Sequence, residues 1–333
     1  MGLIECVPNI SASTDRSVVE AIVSAVRAVS GIKILHVDSN DDANRSVLTY
    51  VGDYGPVVEA GKELISSALR LIDMRSHKGA HPRIGVVDVL PFVPLLGSSM
   101  EECHQASEQV AAWAGSELDI PVYLYEQSAR EERRRSLGSI RAGEFEGLPE
   151  KMKKAQWHAD YGPQLAPHIT FGALVTGARW FLIAFNISLY SPAGSAETLK
   201  ISEVIARRIR SISAGRGERA ALPALKAIGW NMPGYDCAQV SCNLVDFRLT
   251  GMYEVYTAVK VEAEKLGAEV IGSELVGLVP RLALLDAGSK FLASKGIKHQ
   301  EEDIVIEAAV SGLGLSYHQP FELTERVIEE IIK

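Results

Sequence analysis

At 333 residues, with 47% apolar and 23% charged positions and a formal net charge of −8, the chain has the balance of a globular protein, with room for one large domain or two ordinary ones. The negative charge speaks against a protein built to grip nucleic acid, and no lysine- and arginine-rich run is dense enough to overturn that. No window reaches the ~18 uncharged apolar residues of a membrane span. MGLIECVPNIS lacks the basic and apolar regions of a secretory signal, so neither feature is expected. Cys6, Cys103, Cys237 and Cys242 form no C-x-x-C pair and read as reduced, buried thiols of a cytoplasmic protein.

In chain order, LIECVPNI (3 to 10) is a short strand. Val18, Ile22, Ala25, Val26 and Val29 follow at helical spacing. KILHVDS (33 to 39) and SVLTYVG (46 to 52) are strands flanking a turn-rich loop. Val57, Val58, Gly61, Leu64, Ile65, Ala68 and Ile72 predict a second helix, and IGVVDVLPFVPL (84 to 95) a strand. The order is β-α-β-β-α-β, the split-βαβ or ferredoxin-like unit. Residues 99 to 150 add a helix, a strand PVYLYE (121 to 126) and a charged helical segment in which REERRRS (130 to 136) reads as a solvated helix face. DYGPQLAPHITFGALVTGAR (160 to 179), rich in Gly and Pro, reads as a linker or binding loop.

The second half repeats this order. WFLIAFNISLY (180 to 190) is a buried strand and Ile201, Val204, Ile205, Ile209 and Ile212 mark a helix. ALKAIGWNM (224 to 232) and CAQVSCNLVDF (237 to 247) flank a PGYD turn. Met252, Val255, Tyr256, Val259, Ala263 and Leu266 mark the next helix, AEVIGSELVGLV (268 to 279) a strand, and helices at 280 to 294, 303 to 312 and 322 to 332 finish the chain. The expected class is α+β: two ferredoxin-like (βαββαβ) subdomains with antiparallel sheets, at 1–178 and 179–333.

This topology brings three loops to one end of the first sheet: that with Asn9 and Ser11, that from Asp38 to Arg45, and that from His77 to Arg83. The last, in SHKGAHPRIG, holds two imidazoles four residues apart. Gly79 between them and Pro82 after them argue against a zinc pair on one helix face, and H-E-x-x-H is absent. DSNDDANRS (38 to 46) begins like a calcium loop, but Ala43 stands where Gly is needed and Thr49 where Glu is needed. GRGERA (215 to 220) matches a dinucleotide pattern after a helix rather than a strand, so it is an accidental match. General acid/base chemistry survives: an imidazole titrating near neutrality, with Asp38 as the carboxylate best placed to bond its second nitrogen.

ECVPNIS (5 to 11), ANRSVLTYVG (43 to 52), RLIDMRSHKGAHPRIGVVDVLPFVP (70 to 94), IPVYLYEQSAR (120 to 130) and SIRAGEFEGL (139 to 148) resemble glutamate formimidoyltransferase. GARWFLIAFNISL (177 to 189), AQVSCNLVDF (238 to 247) and ELVGLVP (274 to 280) extend the resemblance over nearly the whole chain. It implies transfer of a formimidoyl group from N-formimidoyl-L-glutamate to N5 of tetrahydrofolate in histidine breakdown. It also implies two ferredoxin-like halves with a folate cleft between them, a homodimer, and in some members a following cyclodeaminase, here at most a separate partner. Tetrahydrofolate is then a co-substrate, and no metal or redox cofactor is needed.

The family's catalytic histidine falls on His81, with Asp38 to orient it. The folate segment falls on 162 to 172, giving Gly162, Pro163, Pro167, His168, Thr170, Phe171 and Gly172 as candidate contacts. Arg45, Lys78, Arg83 and Arg179 are candidates for substrate carboxylates, each with a surface ion pair as its alternative, and Asn9 and Asn44 are polar contacts. Phe171 is either a pterin-stacking ring or core, and Asn186 either a ligand or a backbone tie. A glutamate formyltransferase, 5-formyltetrahydrofolate-linked formyl transfer, a non-catalytic folate-binding protein and a ferredoxin-like sensor remain open.

Overall fold

A computed structural model describes residues 2–213, 222–232, 237–298 and 301–333, which excludes the GRGERA and PGYD segments. The chain divides into two compact units, Met1–Trp180 and Phe181–Lys333. Each is a sheet with helices, so the molecule is mixed α+β.

In the first unit, β1 (Ile4–Cys6) and β2 (Asn9–Ile10) are two halves of one strand lying between β4 (Arg45–Gly52) and β5 (Val87–Pro94). Pro8 has no N–H to give the ladder, so it marks the break. With β3 (Ile32–Asn40) outside β4, these strands pair antiparallel. The structure then departs from the expected antiparallel sheet. β7 (Leu174–Ala178) runs parallel to β5, and β6 (Val122–Leu124) parallel to β7, so this sheet is mixed. The cause is α3 (Met100–Glu117), a crossover helix that returns the chain to the same end, as parallel strands require. Residues 160–179 are therefore not all loop: residues 174–178 are β7, between β5 and β6.

Alternation along the strands sorts the two faces. Ile4, Leu48, Tyr50, Leu90, Phe92, Leu124 and Leu174 pack against α1 (Arg16–Arg27), α2 (Tyr54–Leu71) and α3. Val89, Tyr123 and Val175 point to the opposite face and pack against Ile140, Leu148 and Met152 of α4 (Leu137–Arg141) and α5 (Glu144–Met152). Helix starts are fixed locally: Asp15 Oδ1 caps α1 by accepting from Ser17 N at 3.0 Å, and Ser99 and Glu102 form a capping box on α3. REERRRS is mostly solvated, as expected, but it is not a helix face and it buries one of its arginines. Arg134, 3% exposed, sits on a short 3-10 turn and pairs with buried Asp160 at 2.8 Å.

The second unit holds an antiparallel sheet in the order β11–β8–β10–β9: β8 (Ile183–Tyr190), β9 (Leu225–Met232), β10 (Cys237–Leu244) and β11 (Glu269–Val276). Its helices are α6 (Ser195–Ser213), α7 (Met252–Lys265), α8 (Arg281–Ser294) and α9 (Glu302–Leu313). The expected last helix is two short pieces, α10 (Leu323–Arg326) and α11 (Ile328–Ile332). Buried Val327 leaves the helical path between them to bridge Val279. All four cysteines are buried and free, and no helix among the described residues is long and apolar enough to cross a membrane.

Candidate functional site

The three loops do meet, and Asn44 is their staple. It sits at φ 44°, a left-handed conformation that asparagine tolerates better than most side chains. Its Oδ1 accepts from Ser13 N at 3.0 Å, its Nδ2 donates to the Lys78 carbonyl at 3.0 Å, and its own carbonyl accepts from His77 Nε2 at 3.0 Å. Asn44 is thus a scaffold residue. At Gly79 a Cβ would lie 2.2 Å from the Ala43 carbonyl oxygen, so only glycine lets these two loops touch.

The two imidazoles of the α2–β5 loop have different tasks. His77 Nε2 faces a carbonyl, which only accepts, so that nitrogen carries the hydrogen. Its Nδ1 accepts from Arg83 Nε at 3.3 Å. Both nitrogens are spent on the scaffold. Arg83, a candidate for substrate or for an ion pair, is a buried structural cation. It donates to Glu144 at 2.8 Å and to Glu146 at 2.7 Å, a bidentate use of the guanidinium that ties the loop to α5. Lys78 is exposed.

His81 is half-buried and its Nε2 meets Arg45 Nη1. A guanidinium only donates, so Nε2 is the acceptor and the ring is neutral, with its hydrogen on Nδ1. Burial first, then the charges of Arg45 and Arg141, push the imidazole down to about 3, opposed by the bond to Pro82. This differs from the near-neutral titration the sequence suggests, first because the ring is buried and then because guanidinium rather than carboxylate faces it. Among the described residues no hydrogen bond joins Asp38 to His81. Asp38 is exposed and lies across from Val47, on the sheet face shared by Arg45 and Asn9, where its charge acts on Arg45. Asn9 Nδ2 donates to Val7 O at 3.3 Å.

Two members of the cluster are not singled out by the sequence. Asp88, 1% exposed, accepts from Ile84 N at 2.9 Å and from Arg141 Nε at 2.8 Å, while Arg141 also donates through Nη2. A signal was available: Asp88 is the one charge in the apolar run IGVVDVLPFVPL, and a buried charge requires a partner. Arg141 lies in SIRAGEFEGL, but nothing in its local spacing shows that α4 carries it to β5.

One other candidate of the first unit lies apart. Arg179 is held with Tyr125 and Glu5, in the row of Val51 and Val93, roughly 20 Å along β4 from Arg45 at ~3.3 Å per residue. Asn186, in the second unit, donates to Glu274 at 3.3 Å, beside Gln239, which donates to the same carboxylate at 3.0 Å.

The 162–172 segment is mostly a clasp. Gly162 makes a left-handed turn (φ 73°) against the Ile120 carbonyl, followed by half-buried Pro163 and Pro167. His168 and Gly172 exchange backbone bonds of 2.9 and 2.8 Å, and the Thr170 carbonyl accepts from Met74 N at 2.8 Å. Phe171 is fully buried in the core, so its ring is not available to stack on a ligand. Its carbonyl accepts from Val86 N at 2.8 Å and so fastens the loop that carries His81. Among the described residues no three of His, Cys, Asp and Glu gather as metal ligands.

The fold and site define a two-unit α+β protein whose first sheet presents a neutral, protein-held imidazole between guanidinium groups. Residues 3–179 match the family profile "Formiminotransferase domain, N-terminal subdomain" and residues 184–333 match "Formiminotransferase domain". The chain belongs to the formiminotransferase family. It is 42% identical over 99% of its length to a protein of Rattus norvegicus named formimidoyltransferase-cyclodeaminase, of which it spans 60%. It is 37% identical to a glutamate formimidoyltransferase of Streptococcus pyogenes serotype M1, over 90% of this chain and 96% of that one. With the glutamate formimidoyltransferase of Thermoplasma acidophilum it shares 38%, over 89% and 94% of the two chains.

Proposed function

We propose that the chain transfers a formimidoyl group from N-formimidoyl-L-glutamate to N5 of tetrahydrofolate, with His81 carrying the proton. The observation that carries this reading is the neutral His81 ring, with its Nε2 lone pair aimed at a cation on a shared sheet face. The relatives' name, glutamate formimidoyltransferase, supports formimidoyl as the transferred group and a glutamate-derived substrate.

N5 of tetrahydrofolate attacks the formimidoyl carbon, forming a C–N bond and becoming cationic. His81 Nε2 takes that proton as the tetrahedral intermediate forms. The intermediate then collapses, the bond to the glutamate nitrogen breaks, and the imidazolium returns the proton to the departing amine. Such a relay is typically worth ~10²–10⁴ in rate. Arg45 meets a donor carboxylate, and Asp38, exposed on the same face, attracts the cationic amidine. Ferredoxin-like halves, a folate contact near 162–172, a homodimer, a separately encoded cyclodeaminase and a cytoplasmic setting belong to the same reading. In support of the halves, the strand order β3–β4–β1/β2–β5 of the first unit parallels that of the second.

The test is a folate-absorbance assay of the purified chain with N-formimidoyl-L-glutamate, and separately with N-formylglutamate. Turnover with the first and a fall of about 10²–10⁴ in His81→Ala, with thermal unfolding unchanged, are expected. Undiminished turnover in that variant would overturn the role of His81. Preference for the formyl donor would overturn the donor assignment.

A further inference from the structure

We propose that Arg45 is a carboxylate-operated latch on His81: at rest its guanidinium occupies the imidazole Nε2, and an arriving carboxylate draws it away and frees that nitrogen. The proposal deepens the function given above and rests on it for the identity of the carboxylate, that of the donor amino acid.

Three observations carry it. The nitrogen that must receive a proton is the one Arg45 holds, since Nδ1 of the neutral ring already carries its hydrogen. A lone pair already accepting from a guanidinium cannot accept from an attacking amine. Second, Arg45 is under-satisfied: its Nε is buried with no acceptor, and it makes no ion pair among the described residues. A five-donor fork held against one imidazole nitrogen is short of acceptors, and a carboxylate supplies two at once. Third, the nearest buried carboxylate is committed elsewhere. Asp88 takes Ile84 N and the fork of Arg141, so one positive charge in the buried cluster has no buried counterpart. A single anion balances it.

The groups facing His81 are Arg45 from β4 and Arg141 from α4, with Asp88 of β5 and exposed Asp38 of β3 acting on Arg45. When a carboxylate takes the Arg45 fork, no atom is exchanged and no bond is made. The guanidinium hydrogens change acceptor, the Nε2 lone pair is exposed, and the positive charge that held the ring's proton affinity down is offset. His81 thus becomes an effective base only with donor in place.

The test follows His81 by ¹⁵N imidazole NMR in the wild-type chain, assigned with His81→Gln, using L-glutamate as the carboxylate probe. In the free protein the ring is expected to stay neutral down to about pH 4. With saturating L-glutamate its proton affinity is expected to rise at least about tenfold, a full pH unit in the midpoint. In Arg45→Gln the midpoint should be raised without the probe and indifferent to it. If that variant does not fold, the wild-type titration alone decides. An unchanged midpoint with L-glutamate bound, no binding of L-glutamate, an ordinary histidine midpoint in the free protein, or an Arg45→Gln variant that keeps the wild-type response would each overturn the latch. A chain that shows the response but transfers no formimidoyl group keeps the latch and loses the activity. Transfer without the response does the reverse.

Discussion

Replacing Glu5 by glutamine removes a carboxyl that the fold buries at a measurable cost. Glu5 lies on β1, 2% exposed, with Oε2 lacking any hydrogen-bond partner among the described residues. Burial raises it from 4.5 to about 7, against the opposing pull of Arg179. The folded state therefore holds this proton more tightly than the unfolded chain does. The stability this contributes is fully present below 4.5 and is lost as pH rises through about 7. At about 1.4 kcal/mol per pH unit the displacement corresponds to about 3 kcal/mol. Urea unfolding of wild type and Glu5→Gln, followed by circular dichroism from pH 4.5 to 8.5, isolates this group from every other that titrates. Wild type should lose about 3 kcal/mol relative to the variant across that range, most steeply between about pH 5 and 7. The glutamine amide adds its own burial penalty, but one independent of pH, so only the slope matters. Parallel curves would refute the assignment.

Asp88→Asn leaves the largely buried Arg141 guanidinium without its counter-ion, which costs about 3–5 kcal/mol. The expected sign is a lower urea midpoint at unchanged denaturant sensitivity. Gly79→Ala forces a methyl to 2.2 Å from the Ala43 carbonyl, so the two loops must separate at a cost of about 1–3 kcal/mol. Calorimetry should show the unfolding temperature lowered by several degrees. Turnover should fall more than tenfold, since that junction orients the chain leading to His81.

The helical stripes of α1, α2 and α7 and the strand pairs β3–β4 and β9–β10 were legible because each alternates or repeats against a single apolar face. The convergence of the segment after β2, the Asn44 turn and the His77–Arg83 loop follows from strand direction alone, although Asn9 itself lies in β2 and it is Ser13 that meets Asn44. What the sequence hid was pairing between distant segments. Nothing local to LVTGA shows that it enters the sheet beside β5, because a five-residue apolar run after a Gly- and Pro-rich stretch reads equally as loop. The sequence leaves Arg83 open between substrate and an ion pair and Phe171 open between stacking and core, and only the glutamates of α5 and the core around α2 decide between them. Side-chain type announces what a residue is able to bind, whereas tertiary neighbours decide what it has left over.

The late arrival of β7 constrains synthesis. β6 leaves the ribosome some fifty residues before the strand that separates it from β5. Until residues 174–178 emerge, β6 has no strand to pair with, because β7 is its only strand neighbour among the described residues. Insertion of that segment joins β6 to β5 and sets the Phe171 carbonyl against Val86 N, so a contact that fastens the loop bearing His81 waits until nearly the whole N-terminal unit has been made.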